Sequence, residues 1–396
     1  VRAYLDHAAT TSVRPEAAAA HAAALGSVGN PASGHAAGRE ARRRLEDARE
    51  AVAAALGAAP RDVVLTSGGT EADNLAIQGI FRARRAADPR RTRVVVSAVE
   101  HHAVLDAARW LAANEGADVV VLPVDAEGRV EVAALESELV AHGPQVALVS
   151  VMWANNEVGT VQPLDDVVAA ARAGGVPVHA DAVQAVGQVP VDLRASGLAA
   201  LSISGHKVGA TPGTGALLVS RDVPVTPLLH GGGQERGLRS GTADPAGAAA
   251  LAAAVTAATA EARGPGAHRV AALRDRLLAG LLALDGVRLR GAPPGPGRLP
   301  GNAHVTVAGV RAEVLLFLLD AAGVCASSGA ACRSGVEQPS HVLLAMGASE
   351  AEAGAALRLT LGHTSTAEDV HAALAVLPEA IARARRASAP LAGVRP

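Results

Sequence analysis

The first two-thirds of the chain alternates short apolar runs with longer stretches rich in Ala, Arg and Glu. The β-branched runs predict strands at Val63–Thr66, Arg93–Ser97, Asp118–Leu122, Val146–Val151, Pro177–Ala180, Ala200–Ser202 and Gly215–Val219. Several are apolar at consecutive positions, as parallel strands buried on both faces must be. The intervening stretches predict helices near Glu71–Arg85, Ala103–Asn114, Val132–His142 and Leu164–Ala173. This alternation argues for an α/β fold with a doubly wound, mostly parallel sheet.

The pattern then changes. Asp244–Arg263 reads as one long helix, and Gly264-Pro265-Gly266 breaks it. A helix at Ala267–Leu284, a strand at Val287–Arg290 and a Pro/Gly-rich irregular loop over Gly291–Gly301 follow. A strand at Ala303–Val307, a helix at Ala312–Ala322, a strand at Leu357–Leu361 and a closing helix at Ala367–Arg385 complete a smaller α+β unit. The tail Ala387–Pro396 is expected to fray.

Composition narrows the function. The chain has 396 residues, 49% of them hydrophobic and 19% charged, so it can fill a large core. With 36 basic and 38 acidic residues, nothing favours a direct nucleic-acid partner. No stretch reads as a membrane span or a signal-peptide core, and two cysteines cannot build a disulfide framework. A reducing, cytoplasmic setting is expected. Among the 36 basic residues a single one is lysine, Lys207. Arginine replaces lysine in salt bridges, but it does not act as a nucleophilic amine.

Lys207 closes the run Leu201-Ser202-Ile203-Ser204-Gly205-His206-Lys207 after a strand, where α/β sheets hold ligands. Pro177-Val178-His179-Ala180-Asp181 ends another strand on a carboxylate. That Asp could cap a helix or pair with a protonated ring nitrogen. Thr66-Ser67-Gly68-Gly69-Thr70 leaves a strand for a helix start, where free amides favour a phosphate. A Schiff-base lysine, an Asp for a pyridinium nitrogen and hydroxyls on a phosphate together describe pyridoxal 5'-phosphate. Ser204, His206 and Thr70 could supply the hydroxyls and helix amides that such a phosphate needs.

Glu100-His101-His102 follows a strand, so an imidazole there could stack on a flat ring or move a proton. The two cysteines have no metal-ligand spacing, and no metal site is expected. Cys325 follows an apolar run and reads as a buried small residue. Cys332 lies among Gly, Ser and Ala beside Arg333, the makings of a mobile, exposed thiolate. Arg358 is a cation in an apolar strand and needs a partner, either a substrate carboxylate or an internal Asp or Glu.

Taken in order, these motifs resemble the cysteine desulfurases of the NifS/IscS family, class V, fold-type I pyridoxal-phosphate enzymes. The resemblance includes Leu5-Asp6-His7-Ala8-Ala9-Thr10-Thr11, Ala154-Asn155-Asn156-Glu157-Val158-Gly159, Arg239-Ser240-Gly241-Thr242, Ser328-Gly329-Ala330-Ala331-Cys332 and Pro339-Ser340-His341. It implies a large cofactor-binding domain over 15–262. A small domain from 1–14 and 263–396 would carry the cysteine loop. It implies that Lys207 bears the cofactor, Asp181 holds the ring nitrogen, and Gln184 and Asn156 contact the ring hydroxyl or substrate. His101 would stack and assist proton transfer. Gly69, Thr70, Ser204 and His206 would bind the phosphate, joined by Thr242 from the other subunit of a homodimer. Arg358 would hold the carboxylate of L-cysteine, and Cys332 would be the nucleophile. Sulfur would leave to acceptor proteins, such as an iron–sulfur scaffold or a tRNA-thiolation enzyme.

Two positions depart from the family pattern: Ala210-Thr211-Pro212-Gly213 stands where Gly-Pro-Lys-Gly is usual, and Ala330 replaces the usual Ser before the nucleophile. The alternatives are a selenocysteine lyase, another class V lyase or aminotransferase, or a non-enzymatic sulfur-carrier scaffold.

Overall fold

The computed structural model describes residues 3–330, 332–333, 336–337 and 339–388, with the backbone alone at 332, 333, 336 and 337. The chain opens with strand β1 (Ala3–Tyr4) and helices α1 (Pro15–Leu25) and α2 (Ala36–Ala55). It then alternates through β2 (Val63–Thr66), α3 (Gly69–Ala87), β3 (Arg93–Ser97), α4 (His102–Glu115), β4 (Asp118–Leu122), α5 (Val132–His142) and β5 (Val146–Ser150). The alternation continues through α6 (Leu164–Ala173), β6 (Val178–Asp181), α7 (Leu193–Ser196), β7 (Ala200–Ser204), α8 (Gly205–Val208) and β8 (Gly215–Val219). Next come α9 (Pro245–Arg263), α10 (Pro265–Leu282), β9 (Val287–Leu289), β10 (Asn302–Val307), α11 (Ala312–Ala321) and β11 (Val324–Cys325). The last elements are β12 (Cys332–Arg333), β13 (Val336–Glu337), α12 (His341–Ala345), α13 (Glu350–Ala353), β14 (Ala356–Thr360) and α14 (Ala367–Ser388).

The large sheet has the order β2-β8-β7-β6-β5-β3-β4. Its neighbours are parallel except at β8, which runs antiparallel to both β2 and β7. The mixed, mostly parallel sheet therefore matches the pattern of the sequence. Alternate residues feed two cores. Val95, Val149 and Leu218 join α1, α2, α6 and α9 on one face, while Val94, Val96 and Leu217 join α3 and α4 on the other. Side chains that alternate across a strand explain why both faces had to be apolar.

A third core lies around the antiparallel sheet β14-β10-β9, with α10, α11 and α14. Ala3 and Leu5 pack into it, and β1 pairs in parallel with β11. The chain's first residues thus join elements more than 300 positions away in sequence. The helix break narrows to Gly264, because Pro265 already begins α10, where a missing N–H leaves no bond unmade. Among the described residues, no helix is long and apolar enough to cross a membrane.

Candidate active site

The parallel strands β2, β3, β5, β6 and β7 all end on one edge of the large sheet. A cavity of about 280 Å³ opens there, lined from those strand ends and from Arg358 of the second sheet. Sequence-predicted residues Gly69, Thr70, His101, Asn156, Asp181, Gln184, Ser204, His206, Lys207 and Arg358 all line it.

Between β2 and α3 the backbone passes through Gly68 at φ 156°, a conformation that favours glycine. Gly69 is buried, and a Cβ there would lie 2.7 Å from Val183 Cγ2 and 3.4 Å from Ser204 Cβ. The start of a 19-residue helix, with its unpaired amides, therefore meets Ser204 closely at one end of the cavity.

Lys207 sits in α8, immediately after β7. Its Nζ donates to the carbonyls of Ala8 at 2.5 Å and Ala9 at 2.9 Å. Burial, with the Arg358 cation nearby, pushes the amine down from its ordinary 10.5 to about 8. Gln184 Nε2 donates to the same Ala8 carbonyl at 2.9 Å. His206 Nδ1 lies 3.2 Å from Thr10 Oγ1. The segment from Asp6 to Thr11 thus crosses the site and touches four of the residues singled out in sequence, Lys207, Gln184, His206 and, through Asp6, Arg358.

Asp181 ends β6 buried, and its Oδ1 accepts the Val183 amide at 2.8 Å. Burial raises its carboxyl to about 6. Asp73, on α3, is buried beside it, and burial with the Asp181 charge lifts Asp73 well above the ordinary carboxylate range. Two carboxylates in one dry pocket resist double ionisation. Asp73 keeps its proton and Asp181 carries the charge. Beneath them, buried His179 lies 2.9 Å from both Ser150 Oγ and Ser202 Oγ, and burial holds it neutral with a pKa of about 3.

His101 caps α4, its Nδ1 accepting the Ala103 amide at 3.1 Å. The remaining ring proton is then on Nε2. Crowding by protein, then the Lys207 cation, lowers this imidazole to about 4, so it is neutral. Arg358 is 6% exposed; its Nη1 donates to the Asn156 carbonyl at 2.8 Å and its Nη2 to Asp6 Oδ1 at 3.0 Å. Of the two partners open in sequence, an internal carboxylate is therefore present. Nε is buried without an acceptor among the described residues.

Four residues here escaped sequence reasoning as site residues: Asp6, Asp73, Glu157 and His341. Each takes its role from a partner far along the chain, Arg358, Asp181, Ser340 and Glu100 respectively, so no local signal marked it. Glu157 is buried, accepts Ser340 Oγ at 2.5 Å, and is raised by burial to about 7. His341 Nε2 donates to the Glu100 carbonyl at 3.0 Å. On the other side, Ser327 and Arg358 exchange backbone bonds of 3.1 and 2.6 Å, and Gly329 lines the cavity. Cys332 follows Gly329 by three residues and pairs through its backbone with Glu337; its side chain lies outside the described residues. Cys325 is half-buried in β11. Thr242 is not brought to this cavity; it lines a separate one of about 170 Å³ with Ser67, Glu235 and Arg239.

These residues fit pyridoxal 5'-phosphate. A depressed lysine amine, a buried anionic Asp, a neutral imidazole and a glycine-cleared helix start share one cavity. A family model described as aminotransferase class-V matches residues 3–373. The chain is 55% identical over 392 residues to the IscS-like cysteine desulfurase of Mycobacterium tuberculosis, covering 99% of each. A solved structure described as a NifS-like protein superposes with a TM-score of 0.88 at 33% identity, over 97% of this chain and 100% of that one. SspA, solved in complex with cysteine, superposes with a TM-score of 0.76 at 30% identity, over 92% of this chain and 100% of that one.

Proposed function

The chain belongs to the class-V aminotransferase family, and on that footing we propose that it is a cysteine desulfurase. It converts L-cysteine to L-alanine and leaves a persulfide on Cys332. The observation that carries this reading is the convergence of Lys207, Asp181 and Arg358 on one cavity that Gly329, three residues before Cys332 in the chain, also lines.

Bound pyridoxal 5'-phosphate supplies an electron sink for a carbanion at the substrate Cα. Lys207 would hold it, and its amine, at a pKa of about 8 and partly unprotonated near neutrality, is the group placed to take the Cα proton. Asp181 carries the charge that keeps the ring nitrogen protonated. His101 would lie against the ring with its Nε2 proton available to donate. Gly69, Thr70, Ser204 and His206 would hold the phosphate, and Gln184 and Asn156 the ring hydroxyl and substrate. Arg358 takes the substrate carboxylate. The Cys332 thiolate forms the new S–S bond as the substrate C–S bond breaks. The electron pair left on the substrate is protonated, giving alanine.

The wider setting is part of the same proposal. A second copy supplies Thr242 to the phosphate, so the enzyme is a homodimer with a large unit over 15–262 and a small unit from 1–14 and 263–396. Two cysteines and no disulfide framework fit the cytoplasm. An iron–sulfur scaffold or a thiolation enzyme collects the sulfur.

Turnover of L-cysteine with a thiol reductant tests the reaction. Alanine equal to released sulfide is expected, and pyruvate with ammonia would replace this reading by elimination. Cys332→Ser should keep the bound cofactor's absorbance and lose the persulfide. A persulfide that survives the substitution would remove Cys332 from its role.

A further inference from the structure

The guanidinium of Arg358 has five N–H donors. One goes to the Asn156 carbonyl and one to Asp6 Oδ1. The buried Nε has no acceptor among the described residues. A carboxylate needs a fork of two parallel donors, and an arginine offers one only if its plane is fixed. Asp6 is well placed to fix it. Its own backbone is bridged to Thr360, two positions beyond Arg358 on β14. His7 donates to the Thr360 carbonyl at 3.3 Å, and Tyr4 Oη donates to the Asp6 carbonyl at 3.2 Å. The Asp6 backbone is therefore fixed alongside β14, opposite a position two residues from Arg358. The Asn156 carbonyl holds the opposite nitrogen.

We propose that Asp6 is a positioning residue for the substrate carboxylate: with the Asn156 carbonyl it pins the Arg358 guanidinium and leaves the Nε edge for the incoming amino acid. The inference rests on the desulfurase reading above only for the identity of that amino acid. Asp6 does not compete with the ligand. On this proposal it takes one of the two hydrogens on Nη2 and the ligand takes the other. A charge-assisted hydrogen bond that only orients its partner predicts a loss confined to ligands that use the partner.

The test is titration of the cofactor-loaded protein with L-alanine and, separately, with ethylamine, which is alanine without its carboxylate. Binding is read from the cofactor's absorbance. Asp6→Ala should weaken L-alanine binding by about tenfold to a hundredfold, the range for one hydrogen bond to a charged group. Ethylamine binding should be unchanged. Asp6→Asn keeps the acceptor and the shape, and should fall between Asp6→Ala and the parent chain. Equal losses for both ligands would overturn the proposal, because Asp6 would then act through Lys207 or the fold. Unchanged or tighter L-alanine binding would overturn it as well, the second by making Asp6 a competitor. Failure of the parent enzyme to release alanine and sulfide from L-cysteine would sink the desulfurase reading alone.

Discussion

A lysine amine in water is almost fully protonated at neutral pH, but Lys207 is not in water. Burial and the nearby Arg358 bring it to about 8. In the cofactor-free protein, acylation of this amine should reach half its limiting rate near pH 8, and mass spectrometry can follow it because no other lysine is present. Arg358→Met removes a neighbouring cation and should move the midpoint upward. A midpoint near 10.5 in the parent chain would remove burial as the cause. The chemistry of Lys207 was legible because a unique residue type at a strand end has few other uses. Asp6 and Asp73 were not legible as site residues. Their roles come from partners 352 and 108 positions away, Arg358 and Asp181, and nothing local signals them.

Where an element ends, it also aims. The start of α3 depends on glycine at a position where a Cβ would press on Val183, whose amide holds Asp181. Gly69→Ala should therefore disturb the ring's carboxylate as well as the phosphate seat. Overpacking of this kind costs about 1–3 kcal/mol. Cofactor affinity, measured by titration of the apoprotein, should fall about tenfold. Adding Val183→Ala should restore most of it, whereas failure of that rescue would place the damage elsewhere. Most strands and helices followed from the apolar pattern, with α5 and α6 matching to the residue. Strand ends were placed short: β6 runs on to Asp181 and β7 through Ile203 to Ser204, buried positions at the site edge of the sheet. Nothing in the alternation marked α1 and α2. α1 is mostly alanine and offers no contrast between faces, and α2 precedes the first strand of the large sheet.

At the scale of the whole molecule, buried titratable groups set opposite pH limits. His7, His101, His179 and His304 are held neutral by burial at about 4, 4, 3 and 3. The unfolded chain binds their protons below about 6.5 and the folded chain does not, so stability drains as pH falls through that range. Glu100 works in reverse. Burial raises it to about 8, so the folded chain keeps a proton that the unfolded chain sheds from about pH 4.3 upward, and stability drains as pH rises toward 8. Glu100 Oε1 accepts from Ser97 Oγ at 2.5 Å and the Met152 amide at 2.7 Å, bonds that an amide oxygen can also accept. Glu100→Gln should therefore gain on the parent between pH 6.5 and 8, by a shift in Tm on the order of a few °C in thermal melts. A constant difference across that range would mean that Glu100 does not titrate there.

The N-terminal segment has one more consequence, for the making of the protein. Ala8 donates to Thr360 Oγ1, and Asp6 meets Arg358; each pair is separated by 352 positions. At about 5–20 residues per second, a ribosome needs roughly 20–70 s to deliver those partners after the first residues have emerged. Over the last 151 positions before Arg358 the lysine is already synthesised, but the carboxylate seat is not. The nascent chain is barred from its own chemistry until translation is almost finished. A chain that stalls between Lys207 and Arg358 carries the amine with no means of gripping cysteine.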